Sequence, residues 1–365
     1  MVGVALGTPA VQGGLTGRTV LPTTTPGSAV RQTASSGGEG SDSSPRPELS
    51  APSASLPLPT GLPAFPFVPI EAGGALSVTP DAVADLRPGS FPRHQGATTI
   101  DHVTLPAPWT GGTATTVDVY VRLPRGYDPA HERYPTVYVT PTPYRSWANV
   151  FAPHPDGVDT LEEAGDLPSM IYVFAPAIGG PYPITQCIDS QDGRQQWDTF
   201  MSSTLVAWVD SHYATIASPA ARTIMGSSQG GYCSADLLLR HPDVWHQSIS
   251  FSGFYDAAPR DPRTAGGGAV FGGDPALMDA YSPITIAPGL QPDTRKSLFC
   301  VLAGLSSQDF FGPEMDRFSA VLDQGGYARA VIEAPYGHSS RTVEDFLPRA
   351  LRLVAARMVK EGVIP

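Results

Sequence analysis

Gly226-Ser227-Ser228-Gln229-Gly230 fits the G-x-S-x-G pattern of an activated serine nucleophile. The pattern alone is weakly specific, and its setting sharpens it. The apolar run Thr223-Ile224-Met225 comes just before, and a helix-like run from Tyr232 to Arg240 comes just after. Ser228 is then expected on a tight strand-to-helix turn, where flanking side chains have no room and glycine is needed. Such a turn lifts the hydroxyl above the sheet, at the positive end of the following helix. A serine hydroxyl attacks only when a base removes its proton. Of eight histidines, His338 is best placed. It follows the strand-like Ala330-Val331-Ile332 and precedes the last helical pattern. The competitor His241, in Arg240-His241-Pro242, reads as a helix end carried away from Ser228. A carboxylate must orient the base and stabilise its charged form. Asp309 is the expected acid, on the loop after the strand-like Leu298 to Leu302. Glu314 is the alternative, at the start of the next helix, where the helix dipole alone also favours an acid. The chemistry these residues allow is acyl transfer through a serine ester.

These groups meet only if the elements carrying them line up. Ile100 to Leu105 and Thr116 to Leu123 alternate like an antiparallel pair. Further short runs are apolar on both sides: 136–139, 170–174, 222–225, 248–251 and 298–302. They read as buried parallel strands. Helical periodicity links Trp197, Phe200, Met201, Leu205, Trp208 and Val209. It also links Met315, Phe318, Val321 and Leu322, and it returns from Val343 to Met358. Alternating strands and helices predict an α/β fold, a mostly parallel central sheet with helices on both faces. Ligands on such sheets bind at the carboxyl ends of the strands.

The 365-residue chain carries 34 acidic against 23 basic residues, a formal net charge of -11. An acidic surface repels phosphate backbones, so nucleic acid is not expected as a partner. No apolar stretch reaches the roughly 18 residues a membrane-spanning helix needs. Cys187, Cys233 and Cys300 have no CxxC spacing, and one of them is always left over within a single chain. A disulfide between two of them is open, and Cys233 reads as a small buried side chain on its helix. There is no H-E-x-x-H, Walker or dinucleotide fingerprint, so neither a metal nor another cofactor is expected. Residues 1–66 are dominated by Gly, Pro, Ser, Thr and Ala and read as a disordered tail or linker, with 67–365 as the catalytic domain. The opening residues lack the positive start of a secretory signal, so a degenerate signal, a misplaced start and plain tail all stay open. Tails of this composition tether secreted domains to cell surfaces and also occur inside cells. A secreted or envelope location is expected, with the cytoplasm as the alternative. Oligomeric state is not legible.

Several spaced segments together resemble a known family. They are Gly226 to Tyr232, Leu239-Arg240-His241-Pro242-Asp243, Ser250-Phe251-Ser252-Gly253 and Tyr336-Gly337-His338. Gln196 to Phe200 and Phe271 to Asp274, running on to Tyr281-Ser282-Pro283, agree as well. Across roughly residues 95 to 360 the chain resembles the Putative esterase family of α/β-hydrolases, which includes esterase D, feruloyl esterases and the antigen 85 mycolyltransferases. The resemblance implies an α/β-hydrolase fold, Ser228 as nucleophile, His338 as base, and Asp309 or Glu314 as acid. It makes the Gln229 N–H one oxyanion donor. The family's His-Gly pair after the first central strand is replaced here by Pro141-Thr142-Pro143-Tyr144. Proline has no N–H, which leaves Thr142 or Tyr144 as the residues that could supply the second donor, and a slow or non-catalytic member stays open. Losing a donor costs roughly 10²–10³ in rate. Three readings follow: a serine esterase, an acyltransferase of the mycolyltransferase type acting on a sugar hydroxyl, or an inactive cell-envelope domain keeping the fold. The partner is a small-molecule, glycan or lipid ester. Tyr144, Trp147, Tyr182 and Trp197 are aromatics that could line the site.

Overall fold

Strands that are apolar on both faces need cover on both faces, and the fold supplies it. The computed structural model describes residues 55–57, 74–140, 155–176, 179–257, 268–305 and 308–365. The strands are β1 (Ser55–Pro57), β2 (Leu76–Val78), β3 (Thr99–Pro106), β4 (Thr116–Leu123), β5 (Thr136–Val139), β6 (Ile171–Phe174), β7 (Arg222–Ser227), β8 (Gln247–Phe251), β9 (Phe299–Leu305) and β10 (Ala328–Glu333). They form one sheet in the order β1-β3-β4-β6-β5-β7-β8-β9-β10-β2. From β6 to β10 every neighbouring pair is parallel. The antiparallel pairs lie at the edges: β1 with β3, β3 with β4, β4 with β6, and β2 with β10. The strand Ser55–Pro57 falls inside the stretch 1–66 read as tail; the rest of that stretch lies outside the described residues.

The helices are α1 (Pro155–Ala164), α2 (Trp197–Thr199), α3 (Val206–His212), α4 (Gln229–Arg240), α5 (Pro275–Ala280), α6 (Pro283–Ile286), α7 (Pro292–Ser297), α8 (Gly312–Gln324) and α9 (Ser340–Lys360). A π-helical turn, Phe200–Leu205, joins α2 to α3. The two-residue period of the strands sends alternate side chains into two separate cores. Tyr138, Ile171, Val173, Ile224, Cys300 and Leu302 pack with Trp197, Trp208, Leu238, Met315 and Phe318 on one face. Val137, Tyr172, Met225, Ile249 and Val301 pack with Leu161, Phe346, Leu351 and Val354 on the other. The fold is therefore the expected α/β-hydrolase architecture, a central sheet between helical layers. Arg122 on β4 pins α1 to the sheet through Asp159 and a two-pronged contact with Glu162, at 3.3 and 2.8 Å.

Parallel pairing has a direct consequence for chemistry. The carboxyl ends of β5, β7, β8, β9 and β10 reach the same edge of the sheet. Thr140, Ser228, Ser252, Asp309 and His338 follow those five strands.

Candidate active site

Ser228 is the first residue past β7 and the N-cap of α4. Its backbone is left-handed, with φ 59° and ψ −119°. A non-glycine residue holds such a conformation only where the surroundings enforce it. Here the Ser228 N–H donates to the Phe251 carbonyl at 2.9 Å, and the Tyr232 N–H donates to the Ser228 carbonyl at 3.1 Å. The glycine of the motif is sterically required. A Cβ on Gly226 would overlap Thr140 Oγ1 and lie 2.5 Å from the Gly230 carbonyl oxygen. Thr140 fills that space itself, donating to the carbonyls of Met225 (3.1 Å) and Gly230 (2.9 Å). The end of β5 is thereby tied to the turn that carries the serine.

His338 brings Nε2 to 2.9 Å from Ser228 Oγ, hydrogen-bond distance for a base that takes the serine proton. Phe310 and Phe311 pack against its ring, with centroids 4.5 and 5.3 Å away. The other ring nitrogen, Nδ1, faces Asp309 Oδ1 at 3.4 Å. That is within ion-pair reach when the ring is protonated, and Nδ1 makes no hydrogen bond at this geometry. Asp309 is buried, at 2% exposure, and its Oδ1 also accepts from the Phe311 N–H at 2.9 Å. Burial pushes its carboxyl up, but His338, the Phe311 N–H and the Ser252 hydroxyl together hold it below the ordinary value. A carboxylate kept ionised beside an imidazole nitrogen stabilises the imidazolium that forms when the base is loaded.

Glu314 is placed differently. Its Oε2 accepts from the Tyr255 N–H at 3.1 Å, and burial is the leading cause of its raised pKa. His241 caps the far end of α4, about 20 Å along the helix from Ser228. There its Nε2 meets Asp198 Oδ1 at 2.5 Å. Trp197 differs from the reading as a lining aromatic: it is fully buried against Trp109 and Phe200. Tyr182 donates to Asp192 at 2.6 Å and lies under the Arg194 guanidinium. Thr142, Tyr144 and Trp147 lie outside the described residues. Gln229 opens α4, where first-turn N–H groups have no acceptor earlier in the helix. Among the described residues no His, Cys, Asp or Glu cluster is arranged to hold a metal ion, and no helix is long and apolar enough to cross a membrane.

Cys233 also corrects its sequence reading as a plain core side chain. It is bonded to Cys187 across 46 residues, with Cα atoms 5.5 Å apart, while Cys300 is a free thiol buried in β9. An odd cysteine count announces a leftover thiol but does not choose the pair.

A family model described as Putative esterase matches residues 111–350. Over 84 residues the chain is 40% identical to the MPT51 antigen of Mycobacterium leprae (strain TN), covering 23% of this chain and 27% of that protein. The chain thus spans well under half the length of the curated relatives it matches. Among solved structures, a ferulic acid esterase superposes with a TM-score of 0.59 at 17% identity, covering 73% of this chain and 99% of that one. An S-formylglutathione hydrolase from Agrobacterium tumefaciens gives 0.58 at 15% identity, covering 74% and 99%. At these identities the two structures speak for the shared α/β-hydrolase fold.

Proposed function

This chain belongs to the Putative esterase family, and from that premise we propose that it cleaves carboxylic esters with Ser228, His338 and Asp309 through an acyl-enzyme. The observation that carries the proposal is the 2.9 Å approach of His338 Nε2 to Ser228 Oγ, with a buried carboxylate behind the imidazole. His338 takes the hydroxyl proton as Ser228 Oγ attacks the ester carbonyl. The negative charge that develops on the carbonyl oxygen rests on the Gln229 N–H and on a second donor from Thr142 or Tyr144. The tetrahedral intermediate collapses, the C–O bond to the alcohol breaks, and His338 returns the proton to the departing oxygen. Water, deprotonated by the same imidazole, then releases the acid and restores the serine. Asp309 keeps Nδ1 protonated and the ring aimed throughout.

An alcohol in place of water would turn the same acyl-enzyme into an acyltransferase. A panel of p-nitrophenyl esters from acetate to palmitate, run with and without a sugar acceptor, separates the two outcomes. A fluorophosphonate probe tests the nucleophile directly. The native enzyme is expected to label at one serine, and Ser228→Ala to lose the label. A folded native protein that stays unlabelled would sink the catalytic reading in favour of a non-catalytic envelope domain. The Cys187–Cys233 bridge supports an oxidising compartment, outside the cytosol, as the place of work.

A further inference from the structure

The segment Thr185-Gln186-Cys187 is fastened twice to the helix that follows the nucleophile. The Gln229 amide is assigned with its oxygen toward the segment, the orientation that pairs it with donors, and there it accepts from the N–H groups of Thr185 and Gln186, each at 2.6 Å. Cys187 is bonded to Cys233. Residues 229 and 233 are four apart, so both fastenings lie on one face of α4, one turn from each other. The segment's own backbone is forced. Gln186 and Cys187 are successive non-glycine residues with φ of 47° and 52°. Left-handed pairs of this kind persist only where surrounding structure holds them. The Gln229 oxygen faces the N–H groups of Thr185 and Gln186, where the chain enters this pair. Thr185 closes the segment locally, its hydroxyl accepting from the Cys187 N–H at 3.1 Å. All five residues are buried, Gln229 at 3% exposure.

We infer that the Gln229 side chain is a positioning residue. It clamps the first turn of α4 onto the 185–187 segment, so that its own backbone N–H stays aimed at the developing oxyanion. The disulfide holds the segment in place for that clamp. The inference rests on the catalytic reading above and deepens it: the hydrogen bonds of the side chain act through the main chain of the same residue. An oxyanion donor displaced by about an ångström loses most of its effect, because charge stabilisation depends on geometry set before reaction.

Three forms of the full-length enzyme test this, with kcat, KM, fluorophosphonate labelling rate and melting temperature measured for each. Gln229→Met keeps length and removes the acceptor. It is expected to lower kcat and the labelling rate by about 10- to 100-fold at nearly constant KM. Gln229→Glu keeps an acceptor for both N–H groups and is expected to recover at least half of that loss on a logarithmic scale. Cys187→Ala/Cys233→Ala releases the other fastening, and its loss is expected to fall in kcat as well. This third form keeps the test decisive if Gln229→Met does not fold. A folded Gln229→Met enzyme with native kcat overturns the inference. So does a loss confined to melting temperature, or a Glu variant no better than Met. A native enzyme that neither labels nor hydrolyses overturns the catalytic reading itself, an outcome visible before any variant is compared.

Discussion

Asp309 and Glu314 are five residues apart, and each meets a different partner. Asp309 faces the imidazole of His338, whereas Glu314 holds the N–H of Tyr255 at the root of a neighbouring loop. Asp309→Asn is expected to lower kcat by about 10⁴, since an amide leaves the imidazole in the wrong tautomer. Glu314→Gln is the control, because an amide oxygen can still accept from Tyr255. The charge of Asp309 also enters stability. Its carboxyl is held below the ordinary 3.8 in the folded protein. A carboxyl depressed on folding stabilises the native state above its unfolded pKa, and the contribution is lost as pH falls through the folded value. The difference in melting temperature between native enzyme and Asp309→Asn should therefore be flat above about pH 5 and shrink below about pH 4. A difference that stays constant down to pH 2 would show that the charge plays no part.

Helix α4 has the proposed nucleophile at one end and a buried acid in its middle. Asp236 is fully buried, with Oδ2 3.2 Å from Arg240 Nε. Burial pushes its carboxyl up to about 7, against the pull of Arg240. The unfolded chain gives up that proton near pH 4, so between about pH 4 and 7 the native state binds more protons than the unfolded one. Its contribution to stability therefore falls as pH rises through that window and levels off above 7. Asp236→Asn should remove the slope, giving a melting-temperature gain that grows from pH 4 to pH 7; circular dichroism melts at four pH values would show it. The elements themselves were legible because burial on two faces leaves a strong mark. Runs such as Thr136–Val139 and Phe299–Leu305 have no polar side to hide. Ser228 and His338 were legible because a turn with special geometry and a loop after a late strand both leave local traces. The hold of Gln229 on residues 185 and 186 left none. It joins segments more than forty residues apart, and a glutamine after a serine looks like any other polar helix start. Trp197 misled for a related reason: sequence shows that a large aromatic is near a motif, not which way it points.

At the scale of the whole molecule, the 46-residue separation of Cys187 and Cys233 ties the segment before α2 to the helix after β7. Closing a loop of that length restricts the unfolded chain by about 4 kcal/mol. Guanidinium unfolding of Cys187→Ala/Cys233→Ala should show a loss of up to that size, with the native enzyme unaffected by reductant until it unfolds, because both sulfurs are buried. The position of Cys300 carries a different consequence. Three thiols allow three single bridges, and only one is native. Cys300 lies in β9, hydrogen-bonded between β8 and β10 and covered by the helical layer. Once those three strands associate under their helices, its thiol is closed off from solvent. The sheet thereby acts as a proofreader of cysteine pairing. Oxidant arriving before the sheet has formed meets three choices, and oxidant arriving afterwards meets one.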